Sequence, residues 1–560
     1  MSTIRRTPGK DVCVVGTGMI GVVAIKNLLE QGLNPTAFTK DEYIGGLWKP
    51  SSDGAKTTAL HQTSLNTSKQ AACFTDFPMP DEYGIHPPSS DMGKYIDSYV
   101  RHFDLAKHVR LSEPAIRVVR DDKDENWLVT TRKTSTGEET TRRFDRVVLA
   151  TGMGQVKNEV DIKGAEKFKG DLMHSREFKD PGKYKGKNAL VVGIGATGAD
   201  TLVFLKQAGA GKLYSSHREK YWVLPRVVKG KGFDHTMTRR IGNIIRYIGS
   251  CSTSLCSWLM GKGMAAAQAQ AFPFLKDHPS MSKDRKDSTI TSRVPFFSDY
   301  LPCYLRDGDI EDVCGVEEVT GARSVRLTDG RVLDDLDLIV LATGYNHDIS
   351  LIDGKGDPND PVFAPDGFKR IEAAPFSKPG KKFPRLYRGF VSEQYPESLA
   401  VLGHLIFMKP PFVLYDLTSM ALASLWSGAY PLPTASEMKQ DIDKHYDFVV
   451  SCLQSATMPH WGWRVDCRET YIWLNQAAGT GLIEKVGGWG WEGWKFWWNE
   501  GKLYKLLMDG FDTPAAYRLF DIGRGRKAWP GALAQIEKTN KDIEELGKRW
   551  EEEQKKAKQT

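Results

Sequence analysis

The sequence predicts an α/β fold: two doubly wound parallel sheets, the first belonging to a discontinuous domain, beneath a helical C-terminal cover. Three observations lead there. Two glycine fingerprints, GTGMIG at 16–21 and GIGATG at 193–198, stand about 180 residues apart, and each follows a short apolar run. Two further runs, DRVVLATG at 145–152 and DLIVLATG at 337–344, echo one another as buried strands entering a glycine turn. Beyond residue 450 the composition shifts, with eight of the fifteen tryptophans between Trp461 and Trp498 and a charged run at 542–558.

Taken in order, residues 12–15 read as a buried strand, and Gly16, Gly18 and Gly21 as a turn that lets backbone approach a pyrophosphate at the start of a helix over 22–31. A second strand over 35–38 ends at Thr39, and alternation over 127–146 predicts a hairpin. The strand at 189–192 leads into Gly193, Gly195 and Gly198 and a helix over 199–207, the second such unit, so both domains are expected to be Rossmann-like and dinucleotide-binding. Residues 354–384, rich in Pro, Gly, Asp and Lys, read as a surface excursion. The expected division is 1–160 and 330–450 for the first domain, 161–329 for the inserted second, and 451–560 for the cover. GxGxxG alone is weak evidence, since 53 glycines produce it by chance on the order of once in two such chains. A third copy at 488–493 has tryptophans around it and no strand before it, and reads as a loop.

A net charge of +7 is spread along the chain rather than gathered in a stripe, which suits phosphorylated cofactors and argues against nucleic acid. Eight cysteines form no CxxC pair and no His/Cys cluster, so no metal site is expected and a reduced, cytoplasmic setting is. No signal peptide is visible. The longest uncharged stretch, 247–261, is too short to span a bilayer and reads as a buried helix or lid, with contact at a membrane surface left open.

Between the fingerprints lies Phe168-x-Gly170-x-x-x-His174-x-x-x-Phe178. With Gly45-Gly46-Leu47-Trp48, Asn66-Thr67-Ser68-Lys69, Phe74-x-Asp76-Phe77-Pro78 and Ala342-Thr343-Gly344-Tyr345, it resembles the flavin-containing monooxygenases of the N,S-oxygenating type and their Baeyer–Villiger relatives, with gaps, from residue 11 to about 535. The resemblance implies FAD at Gly16, Gly18 and Gly21, with Leu47 and Trp48 along the flavin, and NADPH at Gly193, Gly195 and Gly198 with Thr197 and Asp200 nearby. Trp48 has packing as its plain alternative, and Asp200 has the helix dipole. The resemblance also implies that Asn66, with Thr67 beside it, lies over the flavin near the site of oxygen addition. There a neutral amide can support a C4a-hydroperoxyflavin without moving a proton; the alternative for Asn66 is a turn-former. His174 reads as a structural or gating residue at the domain junction.

The strand at 212–216 ends in His217-Arg218, where an NAD site would show an acid. Arg218 matches the family's 2′-phosphate ligand, with a solvated arginine as the alternative. Thr39 departs from the family, because the adenosine ribose expects Glu or Asp there. The implied reaction consumes NADPH and O2 and oxygenates a soft nitrogen or sulfur centre of a small molecule. Phe178, where Baeyer–Villiger enzymes carry Trp, favours this over ester or lactone formation from a ketone. The segment 233–297 and the tryptophan-rich region are expected to shape the substrate cleft. A disulfide reductase would need a redox cysteine pair, which Cys251 and Cys256 do not make, and a non-catalytic flavoprotein fits poorly with Asn66, Arg218 and both glycine triplets in place.

Overall fold

The computed structural model describes residues 8–558 except 284, 286, 288–292, 361, 363–365, 378–382, 404, 406–408, 455–466 and 488–489. Asp11–Val15 is an interior strand of a seven-stranded sheet. Its apolar residues are buried, as a parallel strand covered on both faces requires. It pairs in parallel with Asn34–Phe38 on one side and Arg146–Leu149 on the other. The sheet continues to Val109–Arg110 at one edge, and through Leu399–Val401 to the antiparallel pair Val391–Ser392 and Leu386–Tyr387 at the other. The predicted hairpin is present as Trp127–Arg132 and Glu139–Phe144, joined by Ala115–Arg120 in a small antiparallel sheet.

The second sheet is all parallel, in the order Ile310–Val313, Leu213–Ser216, Ala189–Val192, Leu338–Leu341, Asp171–His174. A first-domain boundary at residue 330 is therefore too early. The strand Leu338–Leu341 lies between Ala189–Val192 and Asp171–His174 in this sheet, and the chain returns only after Gly344. The outgoing and returning connections lie side by side, Val156–Lys157 pairing antiparallel with Tyr345–Asn346.

Both fingerprint helices start three residues earlier than expected, as Met19–Glu30 and Ala196–Gln207. Gly18 and Gly195 are their N-caps, so the glycine turn itself supplies the first helical turn. The segment 354–384 is not wholly a surface excursion. It contains the helix Asp366–Glu372, and Ile371 is buried against residues of Ala435–Leu453. The uncharged stretch 247–261 is not a buried helix either. It spans two helices, Arg239–Cys251 and Thr253–Ala271, divided at Ser252, whose hydroxyl accepts from Leu255 N; Tyr247 and Trp258 are 61% and 58% exposed. Among the described residues no helix is long and apolar enough to cross a membrane.

The cover comprises Cys467–Ala477, Leu482–Val486, Trp491–Asn499, Gly501–Asp509 and the charged helix Ala532–Ala557. The third GxGxxG falls partly outside the described residues. Its Gly490 caps Trp491–Asn499, making it a helix start rather than a loop. Buried charge ties the cover down. Arg518, about 1% exposed, donates to Glu30, Asn27 and Thr75, and Asp76 of the FxDFP motif pairs with Lys26. Arg239 donates to Tyr471 at 2.8 Å and Asp512 at 2.5 Å, and Asp512 also pairs with Lys409. Removing one partner from such a pair typically costs about 3–5 kcal/mol, because the other charge stays buried.

Candidate active site

The two glycine turns repeat the same geometry. A Cβ on Gly16 would stand 2.5 Å from Ala150 O, and one on Gly193 would stand 2.5 Å from Ala342 O; both have φ near +106°, where side chains are strained (105° and 107°). A Cβ on Gly21 or Gly198 would run into the carbonyl of Gly16 or Gly193. The middle glycines differ: among the described residues a Cβ on Gly18 would find only Gly46 Cα at 3.9 Å, and one on Gly195 nothing within 4 Å. The first glycine makes the turn, the third allows strand and helix to close, and the middle one leaves backbone open on the ligand side. That arrangement fits a pyrophosphate at each helix N-terminus.

Around the first turn, Thr39 ends its strand with its hydroxyl accepting from Asp41 N at 3.3 Å. Asp41 and Glu42 both face Lys56, at 3.3 and 2.9 Å. Leu47 and Trp48 form a short helical turn after Gly45 and Gly46, both of which have positive φ. Leu47 is 46% exposed, and Trp48 packs on Phe412 with a buried indole N–H that has no partner among the described residues. That orphaned donor beside an exposed leucine is what a surface awaiting a polar ring system would show. Around the second turn, Gly195 and Thr197 are exposed at the helix start, and Arg218 is exposed at the end of Leu213–Ser216. Asp200 points elsewhere, toward Arg226 at 3.7 Å. Burial lifts its carboxyl to about 6 against the pull of Arg226.

Asn66 stands between the two domains. Its Oδ1 accepts from Arg226 Nη2 at 3.4 Å. Its neighbours fix the loop: Ser68 N and Oγ donate to Asp234 at 2.8 and 3.0 Å, and Lys69 Nζ donates to the carbonyls of Pro80, Asp81 and Tyr83. Thr67 is half-buried between them. His86 faces two carbonyl oxygens, Leu65 O at 3.1 Å and Arg226 O at 3.0 Å, and burial holds its pKa down.

His174 is confined to packing and hydrogen bonding at the junction. Its Nδ1 accepts from Arg176 N at 3.1 Å and its Nε2 donates to Gly344 O at 3.0 Å, so the ring is neutral, and burial lowers its pKa. It staples the end of Asp171–His174 to the turn where the chain returns. The cysteines of 251–256 are separate free thiols, Cys251 exposed and Cys256 half-buried. Among the described residues no group of three or more His, Cys, Asp or Glu gathers at metal-binding distances. Arg226 and His86 are the site residues that sequence reasoning missed. The available signal was an arginine in the apolar run Tyr221-Trp222-Val223-Leu224-Pro225, where a charge is rarely placed without a partner.

Residues 9–356 match the protein family described as flavin-binding monooxygenase-like. Monooxygenase aurF of Gibberella zeae is 34% identical over 541 residues, covering 96% of this chain and 98% of that one. Dimethylaniline monooxygenase [N-oxide-forming] 2 of Rattus norvegicus is 28% identical over 444 residues, 77% of this chain and 76% of that one. Among solved structures, cyclohexanone-bound cyclohexanone monooxygenase superposes with a TM-score of 0.59 at 17% identity over 84% of this chain and 98% of that one, a likeness of fold.

Proposed function

Since the chain belongs to the flavin-binding monooxygenase-like family and is a flavin-dependent monooxygenase, we propose that its flavin is FAD, its reductant NADPH, and its product an N- or S-oxide of a small organic substrate. The overall balance is NADPH, H+, O2 and substrate giving NADP+, water and oxygenated substrate. The bound flavin supplies the two-electron chemistry that joins NADPH to O2. The chain's own residues do the rest. The backbone at Gly16–Gly18 and at Gly193–Gly195 would hold the two pyrophosphates, Arg218 would take the 2′-phosphate, and Leu47 and Trp48 would contact the flavin.

The observation that carries this reading is Asn66, a neutral carboxamide of the first domain whose Oδ1 accepts from Arg226 of the inserted domain. Its N–H can stabilise negative charge where oxygen is activated and has no proton to take up at neutral pH, which an acid or a histidine there would have. Oxygenation at nitrogen or sulfur is favoured by Phe178 and by the N-oxide-forming relative. The test is a panel of tertiary amines, thioethers and cyclic ketones given to the FAD-loaded enzyme with NADPH. The expected result is one N- or S-oxide formed per NADPH consumed. Lactone or ester from the ketones, with no N- or S-oxide, would put Baeyer–Villiger insertion in its place.

A further inference from the structure

We propose that Arg226 is the positioning residue for Asn66: its guanidinium, held by Asp200 and Asp299, takes the carboxamide by Oδ1 and leaves Nδ2 as the group turned to the reacting atoms. The inference rests on the reading of Asn66 given above. A guanidinium carries donors only, so it is served by Oδ1 and would be opposed by the amide N–H groups. The contact therefore selects one of the two ways a carboxamide can face.

The arrangement is a fixed backbone carrying a loosely gripped side chain. Arg226 N donates to Asp299 Oδ1 at 2.9 Å, and its carbonyl faces His86 Nε2 at 3.0 Å. The guanidinium reaches Asn66 at 3.4 Å, Asp299 Oδ2 at 3.6 Å and Asp200 at 3.7 Å, and its buried Nε has no partner among the described residues. Contacts of that length tighten or open with small movements of the elements that carry them. Asn66 belongs to the first domain. Asp200 lies in the second turn of Ala196–Gln207, the helix whose open N-terminus is shaped for the second pyrophosphate. The Asp200–Arg226–Asn66 line thus joins the seat of NADP(H) to the orientation of the amide. Asp200 acts here as the counter-ion that aims Arg226, rather than as a neighbour of the phosphates.

The test needs only the FAD-loaded enzyme, NADPH and O2. The NADPH-reduced enzyme is mixed with oxygenated buffer, and the lifetime of the near-ultraviolet transient is read for Asn66→Ala, Arg226→Gln and the double variant. Losing one donor at such a site costs about 100-fold. We expect Asn66→Ala to shorten the transient by about that factor and Arg226→Gln by about tenfold, with the double variant no worse than Asn66→Ala. Anaerobic reduction by NADPH is followed to completion for each variant, so that transients are compared only between fully reduced enzymes. If the two effects multiply, Arg226 does not act through Asn66 and the proposal falls while the reading of Asn66 stands. If Asn66→Ala leaves the lifetime unchanged, that reading itself fails.

A second readout uses the flavin-free protein. Unfolding midpoints of Arg226→Gln, Asp200→Asn and their combination should not add, as for residues in contact. Additive shifts would remove Asp200 from the arrangement. Arg226→Lys, which keeps the charge but not the fork, carries the same comparisons should Arg226→Gln fail to fold, and is expected to lie between wild type and Arg226→Gln.

Discussion

Thr39 sits where an adenosine ribose calls for a carboxylate, and its hydroxyl oxygen is already committed to Asp41 N. Asp41 and Glu42, the nearest acids, face Lys56 instead. FAD should therefore lack one charge-assisted hydrogen bond, a difference of about 1 kcal/mol or roughly fivefold in affinity. Thr39→Glu is expected to slow the loss of FAD on dialysis by about that factor; a variant that loses FAD as fast as wild type would contradict the account. Local rules point to individual residues in the sequence: the three glycines of each turn by their spacing after a strand, and Asn66, whose role is proposed, through its flanking motif. Arg226 was not, because its meaning depends on a contact 160 residues away. Asp200 was legible as a site residue but not as the partner of Arg226, which only the packing of the two domains supplies.

The two glycine turns were readable as elements because strand, turn and helix are specified within about twenty residues of each other. Their internal division of labour makes a sharp prediction. Gly198→Ala drives a methyl into the Gly193 carbonyl and should destabilise the flavin-free protein by about 1–3 kcal/mol. Among the described residues Gly195→Ala meets no protein atom within 4 Å, and its φ is ordinary, so it should leave the unfolding midpoint in place. The same substitution faces the bound dinucleotide and should weaken NADPH binding about tenfold or more. Equal effects of the two substitutions on stability would overturn the assignment of the open position. Less legible were the elements whose limits are set by neighbours. Leu338–Leu341 looks like Arg146–Leu149 in sequence, and only its pairing with Ala189–Val192 and Asp171–His174 places it in the second sheet. The stretch 247–261 suggests a buried helix in sequence, and Tyr247 and Trp258 are exposed instead, because an uncharged run carries no sign of which face meets solvent.

The domains and cover are joined by buried polar groups, and this sets the pH response of the molecule. His86, His174, His235 and His278 are all pushed down by burial, His235 to about 4. In three of them Nδ1 accepts a backbone N–H, from Arg176, Gly232 and Ser280, which a protonated ring cannot do. The unfolded chain takes up protons on these rings near pH 6.5 and the folded chain only at lower pH. Their contribution is thus complete above about 6.5 and lost as pH falls toward about 4. Asp200, raised to about 6, works the other way, its contribution being lost as pH rises through 6, but it is one group against four. The unfolding midpoint should fall between pH 7 and pH 5, and His235→Gln should flatten the fall, by up to about 2 kcal/mol over that range; an equally steep fall in the variant would contradict this. The contacts that carry these rings across the molecule, His86 with Arg226 O and His174 with Gly344 O, span 140 and 170 residues of sequence and have no local signature, which is why the sequence disclosed the two nucleotide folds but not what locks them together. The central claim is that Asn66 and the cleft around it protect an oxygen-activating flavin. Its most direct test is stopped-flow spectroscopy of the FAD-loaded protein, reduced anaerobically with NADPH and mixed with oxygenated buffer. The account predicts a near-ultraviolet transient that persists while NADP+ is bound. Immediate reoxidation with one hydrogen peroxide released per flavin would contradict it.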